Sequence, residues 1–200
     1  MGRNNSYRRG AVFLDRDGVI NRNVLNPATG EYEAPLTPAD FEFIPGALDA
    51  LRALRNAGFI LFLVSNQPNY AKGKSTLEDL KAIHARLVAD LVFNHIDFAR
   101  FYYCFHHPQG TGNRYSRPCG CRKPSPHFLL KAQARFNLDL ERSWMVGDRL
   151  TDIECGNRAG AKTILIADGA LQSMGGTQPD LVAPDLSTAA RMILATVSQP

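Results

Sequence analysis

At 200 residues, 44% hydrophobic and 21% charged, the chain has the size and balance of one compact domain, which excludes a disordered or fibrous segment. No apolar run approaches the roughly 18–20 residues of a membrane-spanning helix. The formal net charge of +4 is scattered rather than gathered into a basic arm, so it favours a small anionic ligand over nucleic acid.

Residues 1–9, MGRNNSYRR, are polar and basic and read as a flexible tail. Asp15 cuts the following apolar run short, so no export signal is read there and a cytoplasmic protein is expected. The run 10–14, GAVFL, has the character of a buried parallel strand. Residues 21–40 are rich in Asn, Pro and Gly and read as a loop insertion. An amphipathic helix follows over 45–58, with Pro45 at its start and Gly58 at its close, and then a second buried strand over 59–66. Residues 75–93 carry helical apolar spacing and a capping box read as Ser75 to Glu78. Further strands are predicted at 98–105, 143–148 and 161–168, and helices at 125–136, 151–160 and 187–197. Strands alternating with helices predict an α/β fold, a single domain over 1–200 around a parallel sheet.

In open parallel sheets, ligands bind beyond the carboxyl ends of the strands. The first strand ends in Asp15-Arg16-Asp17-Gly18, the second in Ser65-Asn66-Gln67, and the fourth in Gly147-Asp148-Arg149 with Asp152 one turn on. The fold predicts that these positions share one edge. Asp15, Asp17 and Asp148 would then repel one another, which a divalent cation relieves, and all-oxygen ligation suits Mg²⁺. A hydroxyl donor, Ser65, and a cation, Lys123, complete a set suited to phosphoryl transfer. Taken singly, each piece is more often a cap or a turn. Their joint position at successive strand ends is what favours chemistry.

Three of the four cysteines, Cys104, Cys119 and Cys121, lie in the Gly- and Pro-broken loop 102–124, and Cys155 stands apart in a helix pattern. Without an export signal this grouping reads as metal-binding thiolates rather than disulfides, and Cys155 as a plain packed thiol. His84, His95 and His127 fall in helical contexts as surface or packing residues, and Trp144 as core.

These residues resemble the haloacid dehalogenase (HAD) superfamily of phosphohydrolases. FLDRDGVIN (13–21) is similar to its first motif, Ser65 to the second, Lys123 to the third and GDRLTD (147–152) to the fourth. The resemblance spans roughly residues 11–170 and implies a Rossmann-like three-layer sandwich with no large cap domain. It implies Asp15 as nucleophile and Asp17 as general acid, then base. It also implies Mg²⁺ held by Asp15, the Asp17 carbonyl and Asp148, with Ser65 and Lys123 on the phosphoryl oxygens and Asp152 orienting Lys123 or a metal-bound water.

DRDGVIN, YYCFHHPQG and CGCRKP narrow the likeness to the heptose 1,7-bisphosphate phosphatases and the related histidinol-phosphate phosphatases. Their Cys-x-His…Cys-x-Cys loop implies structural zinc on Cys104, His106, Cys119 and Cys121, in preference to His107, with the metal ordering a loop that ends on Arg122 and Lys123. Asn66, Arg122, Lys123 and Arg149 are the implied substrate contacts, with Gln67 and Asn23 to Asn26 as further pocket-lining candidates. Pro68-Asn69 stand where the relatives usually have Ser-Gly, and RNVLNPATGEYEAP departs from them in the loop over the substrate. The reading is therefore a monomeric phosphatase that removes the 7-phosphate of a heptose bisphosphate. Histidinol phosphate or a phosphorylated nucleic-acid end is the alternative substrate, and a zinc-stabilised binding module is the alternative outside enzymes.

Overall fold

The computed structural model describes residues 9–26, 30–167 and 176–197. A six-stranded sheet runs β5-β4-β1-β6-β7-β8: Phe98–Cys104, Ile60–Asn66, Ala11–Leu14, Trp144–Gly147, Lys162–Ile166 and Leu181–Ala183. Every neighbouring pair in it is parallel. The chain leaves central strand β1 toward β4 on one side and returns as β6 on the other. β1 therefore lies where the strand order reverses, the place at which open α/β sheets bind ligands.

Side-chain alternation along β1 builds the layers. Val12 and Leu14 pack into a core with Leu51 and Leu54 of α1 (Ala47–Asn56), Ile83 and Leu87 of α2 (Leu77–Phe93) and Ile193 of α5 (Leu186–Val197). Ala11 and Phe13 face the opposite core, with Leu129 and Ala132 of α3 (His127–Phe136) and Cys155 of α4 (Leu150–Ala159). This is the α/β fold around a parallel sheet that the sequence predicts, in the three-layer form that the resemblance implies. Trp144 and Cys155 are buried as expected.

Three local features differ from the sequence reading. The 21–40 insertion holds a short antiparallel hairpin, β2 (Val24–Leu25) with β3 (Tyr32–Glu33), and a 3-10 turn at Pro38–Asp40. Two-residue strands carry no readable periodicity, and residues 27–29 lie outside the described residues. Strand β8 was not anticipated, because three residues paired only to β7 are too short to show a pattern. The capping box of α2 is Thr76 to Asp79, not Ser75 to Glu78. Thr76 Oγ1 accepts from the Asp79 amide at 3.0 Å, and Asp79 Oδ2 accepts from the Thr76 amide at 3.1 Å. Both registers fit the pattern, and the helix start chose the one that satisfies two orphan amides reciprocally. Of the expected tail 1–9 only Arg9 is described, bridged to Leu138, and Asp168 of the expected fifth strand also lies outside the described residues.

Candidate active site and metal centre

β1 and β6 end side by side, and each hands over to an aspartate. The Asp15 amide donates to Val146 of β6 at 3.0 Å, which fixes the start of the loop. The chain then folds back: the Arg16 carbonyl accepts from Ile20 (2.8 Å) and Asn21 (3.1 Å), while Gly18 donates to Asn21 at 2.8 Å. Gly18 sits at φ +77, and a Cβ there would lie 2.2 Å from Asp148 Oδ2. Only glycine permits both the backbone angle and this approach. Gly147 has the same role on the other side, since a Cβ would meet Asp152 at 2.2 Å.

Carboxylate oxygens of Asp15, Asp148 and Asp152 come within 4.8 Å of one another. Lys123 is the cation among them, 2% exposed, with Nζ 2.9 Å from Asp15 Oδ2 and 2.6 Å from Asp152 Oδ1. These are ion pairs, and the aligned hydrogen bond of Nζ goes to the Val64 carbonyl at 2.8 Å. Burial works against the Lys123 charge, but Asp15 and Asp152 outweigh it and hold the ammonium above its ordinary range. Asp148 has no such neighbour close by: Arg149 Nε is 3.9 Å from its Oδ1, and that oxygen is buried without a hydrogen-bond partner. Burial, then the charges of Asp15 and Asp152, push Asp148 up to about 7. An orphaned oxygen, crowded carboxylates and a glycine-cleared approach are what an oxygen-ligated divalent cation would satisfy, so the residues fit Mg²⁺.

Asp17 points elsewhere. Its Oδ1 accepts from Arg16 Nε (3.0 Å), the Arg16 terminal nitrogen (2.9 Å) and Asn21 Nδ2 (3.0 Å), and its Oδ2 from Gln67 Nε2 (2.5 Å). The Asp17 carboxylate is thus committed to Arg16, Asn21 and Gln67 and does not join the Asp15, Asp148 and Asp152 cluster. Asp152, expected only to orient Lys123 or a water, joins the acidic cluster itself. Arg16 and Asn21 had no expected role. An arginine reads as surface in any sequence, and here burial is tolerable because the neighbouring carboxylate pairs with it.

Ser65 is buried, and its Oγ accepts from Gln67 Nε2 at 3.0 Å. Asn66 spends its amide on Lys123: Nδ2 donates to the Lys123 carbonyl at 3.2 Å, and Oδ1 accepts from the Lys123 amide at 3.1 Å. Asn66 thus holds the lysine as well as lining the same cavity. That cavity is about 670 Å³, reaches Asp15, Asp17 and Lys123 at its base, and carries Lys72, Arg122, Arg149 and His107 around its wall. The β2–β3 hairpin closes one side, where Glu33 pairs with Lys74 at 2.6 Å.

Beyond β5 the chain enters the cysteine loop, and Cys104, His106, Cys119 and Cys121 converge as predicted. The three sulfurs are 3.4–3.5 Å apart, and His106 Nδ1 lies 3.8 and 3.9 Å from Cys121 and Cys104. A tetrahedral centre with Zn–S near 2.3 Å requires sulfurs about 3.8 Å apart, whereas a disulfide requires about 2.05 Å, so the spacing fits a metal and excludes a bond. Burial pushes the Cys104 thiol up and lowers the His106 imidazole, so each disfavours its charged form while no ion is bound. His107 is turned out of the cluster, its ring accepting from the Gln109 amide at 3.2 Å. The Arg122 guanidinium donates to the His106 carbonyl at 3.2 Å, tying the loop to the residue beside Lys123. His84 packs edge-on against Phe101 and Tyr103, as a packing residue.

A parallel sheet whose two central strands end in aspartates, with a buried lysine between them, defines a HAD-like hydrolase. A family model described as HAD-hydrolase-like matches residues 120–189. The D-glycero-beta-D-manno-heptose-1,7-bisphosphate 7-phosphatase of Escherichia coli is 38% identical over 160 residues, 80% of this chain and 80% of its own. The enzyme of that name from Yersinia pestis is 35% identical over 187 residues, 92% of this chain and 95% of its own. The crystal structure of D,D-heptose 1,7-bisphosphate phosphatase from B. bronchiseptica, complexed with magnesium and phosphate, superposes with a TM-score of 0.74 at 28% identity, covering 94% of this chain and 99% of that one. The chain belongs to the heptose 1,7-bisphosphate phosphatase family of HAD-like phosphatases.

Proposed function

We propose that the protein is a Mg²⁺-dependent phosphomonoester hydrolase that works through an aspartyl phosphate and removes the 7-phosphate of D-glycero-D-manno-heptose 1,7-bisphosphate. The observation that carries this reading is Asp15, held at the end of β1 with Oδ2 2.9 Å from Lys123, at the base of a cavity walled by further cations. Asp15, the Asp17 carbonyl and Asp148 would hold Mg²⁺, which would supply neutralising charge for the carboxylates and the phosphoryl group.

In the first step an Asp15 oxygen bonds to phosphorus while the bond from phosphorus to the ester oxygen breaks, and Asp17 gives that oxygen a proton. In the second step water bonds to phosphorus, Asp15 is released, and Asp17 takes the proton back. Lys123 and Ser65 hold the phosphoryl oxygens, and Asp152 and Asn66 keep Lys123 in place. A second phosphate on the substrate needs positive charge away from the reacting centre. Arg122, Arg149 and Lys72 offer it on the cavity wall, and the names of the relatives favour the heptose bisphosphate. Cys104, His106, Cys119 and Cys121 would hold a structural zinc in this reading, since four protein ligands would leave no open position.

The test is Asp15→Asn. Phosphate release should fall on the order of 10⁴-fold or more, as when a covalent nucleophile is lost. Unchanged turnover would reject the mechanism. A panel of heptose bisphosphate, histidinol phosphate and a 3′-phosphorylated oligonucleotide decides the substrate.

A further inference from the structure

The residue between the two strand-end aspartates is among the largest fully buried side chains of the described structure, and the reaction as written gives it no task. Arg16 places Nε and a terminal nitrogen on one oxygen of Asp17, Oδ1, at 3.0 and 2.9 Å, and Asn21 gives that oxygen a third donor at 3.0 Å. The same terminal nitrogen of Arg16 donates to Gln67 Oε1 at 3.0 Å. This contact sets the Gln67 amide: with Oε1 on the arginine, Nε2 must face Asp17 Oδ2, at 2.5 Å, and Ser65 Oγ, at 3.0 Å. The flipped amide would set donor against donor at Arg16 and acceptor against carboxylate at Asp17. A carboxylate has about four lone-pair sites, two on each oxygen. Three donors saturate Oδ1, whereas Oδ2, with one, keeps a lone pair open.

We propose that Arg16 and Gln67 are positioning residues that act through Asp17, committing Oδ1 to the interior and leaving Oδ2 as the oxygen that exchanges the proton. The proposal rests on the acid–base reading of Asp17 given above and names the atom. The proton on Oδ2 goes to the ester oxygen as its bond to phosphorus breaks. A proton from water returns to Oδ2 as the water oxygen bonds to phosphorus and frees Asp15. Arg16 is 1% exposed, so its effect reaches the substrate through Asp17 or, by way of Gln67, through Ser65; an effect through Ser65 would slow all phosphate esters alike, whereas one through Asp17 depends on the leaving group.

The experiment uses the full chain with Mg²⁺ in the buffer and two substrates. An alkyl phosphate has a leaving alkoxide that needs a proton; p-nitrophenyl phosphate has a leaving phenolate that does not. Single turnovers report release of the alcohol or phenolate before water enters. In Gln67→Leu and Arg16→Met, alkyl alcohol release should slow about 10²-fold, within the range of a general acid's contribution, with p-nitrophenolate release slowed less than about threefold and KM within about twofold. Asp17→Asn, run alongside, should show the same selectivity. If Asp17→Asn is selective while Gln67→Leu and Arg16→Met slow both substrates equally or neither, the positioning role is overturned and the acid assignment stands. If Asp17→Asn shows no selectivity, the acid–base reading fails and takes this proposal with it. Should Arg16→Met fail to fold, Gln67→Leu decides alone, because it leaves the Arg16–Asp17 pair in place.

Discussion

Asp15 and Asp148 leave strands that are hydrogen-bonded neighbours, whereas of Cys104, His106, Cys119 and Cys121 only Cys104, the last residue of β5, stands on the sheet, and the other three lie in a stretch with no helix or strand before α3. At the sheet edge, the backbone ladder and two packed cores fix the acidic groups before any ion arrives, and Lys123 offsets part of their repulsion. In the loop no apolar residue from 105 to 122 is fully buried; hydrogen bonds to Tyr70 and Ala71 and the rings of Phe105 and Tyr115 brace it, and the Cys/His cluster closes it onto β5. The contrast teaches that a cation at the acidic groups would join a scaffold that stands without it, whereas one at the Cys/His cluster would serve folding. The two meet at Arg122 and Lys123, so loss of the second metal should reach the first site.

The largest expected effect sharpens this contrast. Asp15→Asn should abolish turnover yet leave the melting temperature nearly unchanged and zinc at about one equivalent by metal analysis. Cys119→Ser should do the reverse. It should release the zinc and lower the melting temperature by about 10 °C, taking a few kcal/mol lost at roughly 2–4 °C per kcal/mol for a domain of this size. Its activity should fall about tenfold, from loss of Lys123 positioning rather than of the nucleophile. An unchanged melt and rate without zinc would break the comparison.

Next in size, Gly18→Ala forces a strained φ and sets a methyl group against Asp148. It should cost about 1–3 kcal/mol of stability and weaken Mg²⁺ binding, read by thermal melts and by titration calorimetry. A smaller effect comes from pH. Asp148 is pushed up to about 7 from an ordinary 3.8, so between those values the native state keeps a proton that the unfolded chain has released. By linkage the metal-free protein therefore loses stability as pH rises from about 4 to 7 and levels off above that. Mg²⁺ should abolish the loss at the upper end, and melts at pH 5 and 8 with and without Mg²⁺ check the sign. The smallest effect is Cys155→Ala, about 1 kcal/mol from a buried thiol, with zinc content unchanged. Loss of zinc in that variant would mean that the ligand set is misassigned.

The sequence was legible where its signals are local. Strands β1, β4, β5, β6 and β7 and helices α1 to α5 announce themselves through apolar runs, helical spacing and Gly or Pro at their ends. β8 and the β2–β3 hairpin do not, because elements of two or three residues exist only through partners elsewhere in the chain. The acidic residues and the Cys/His loop were legible as chemistry, since carboxylates at successive strand ends and clustered thiols have few other uses. Arg16 was not, because nothing in DRDG says that its side chain turns inward. Asn66 was expected to touch substrate, and its amide bonds with Lys123 across a separation of 57 residues.

By itself, then, the sequence determined the alternation of strands and helices and the order of the carboxylates, the lysine and the clustered cysteines along the chain, because periodicity, turn chemistry and residue type are properties of neighbours. Only the tertiary structure decided which oxygen of Asp17 is tied down, what holds Lys123, and that Asp152 joins Asp15 and Asp148. Those contacts depend on burial, and burial is settled when distant segments pack and each buried charge must find its partner.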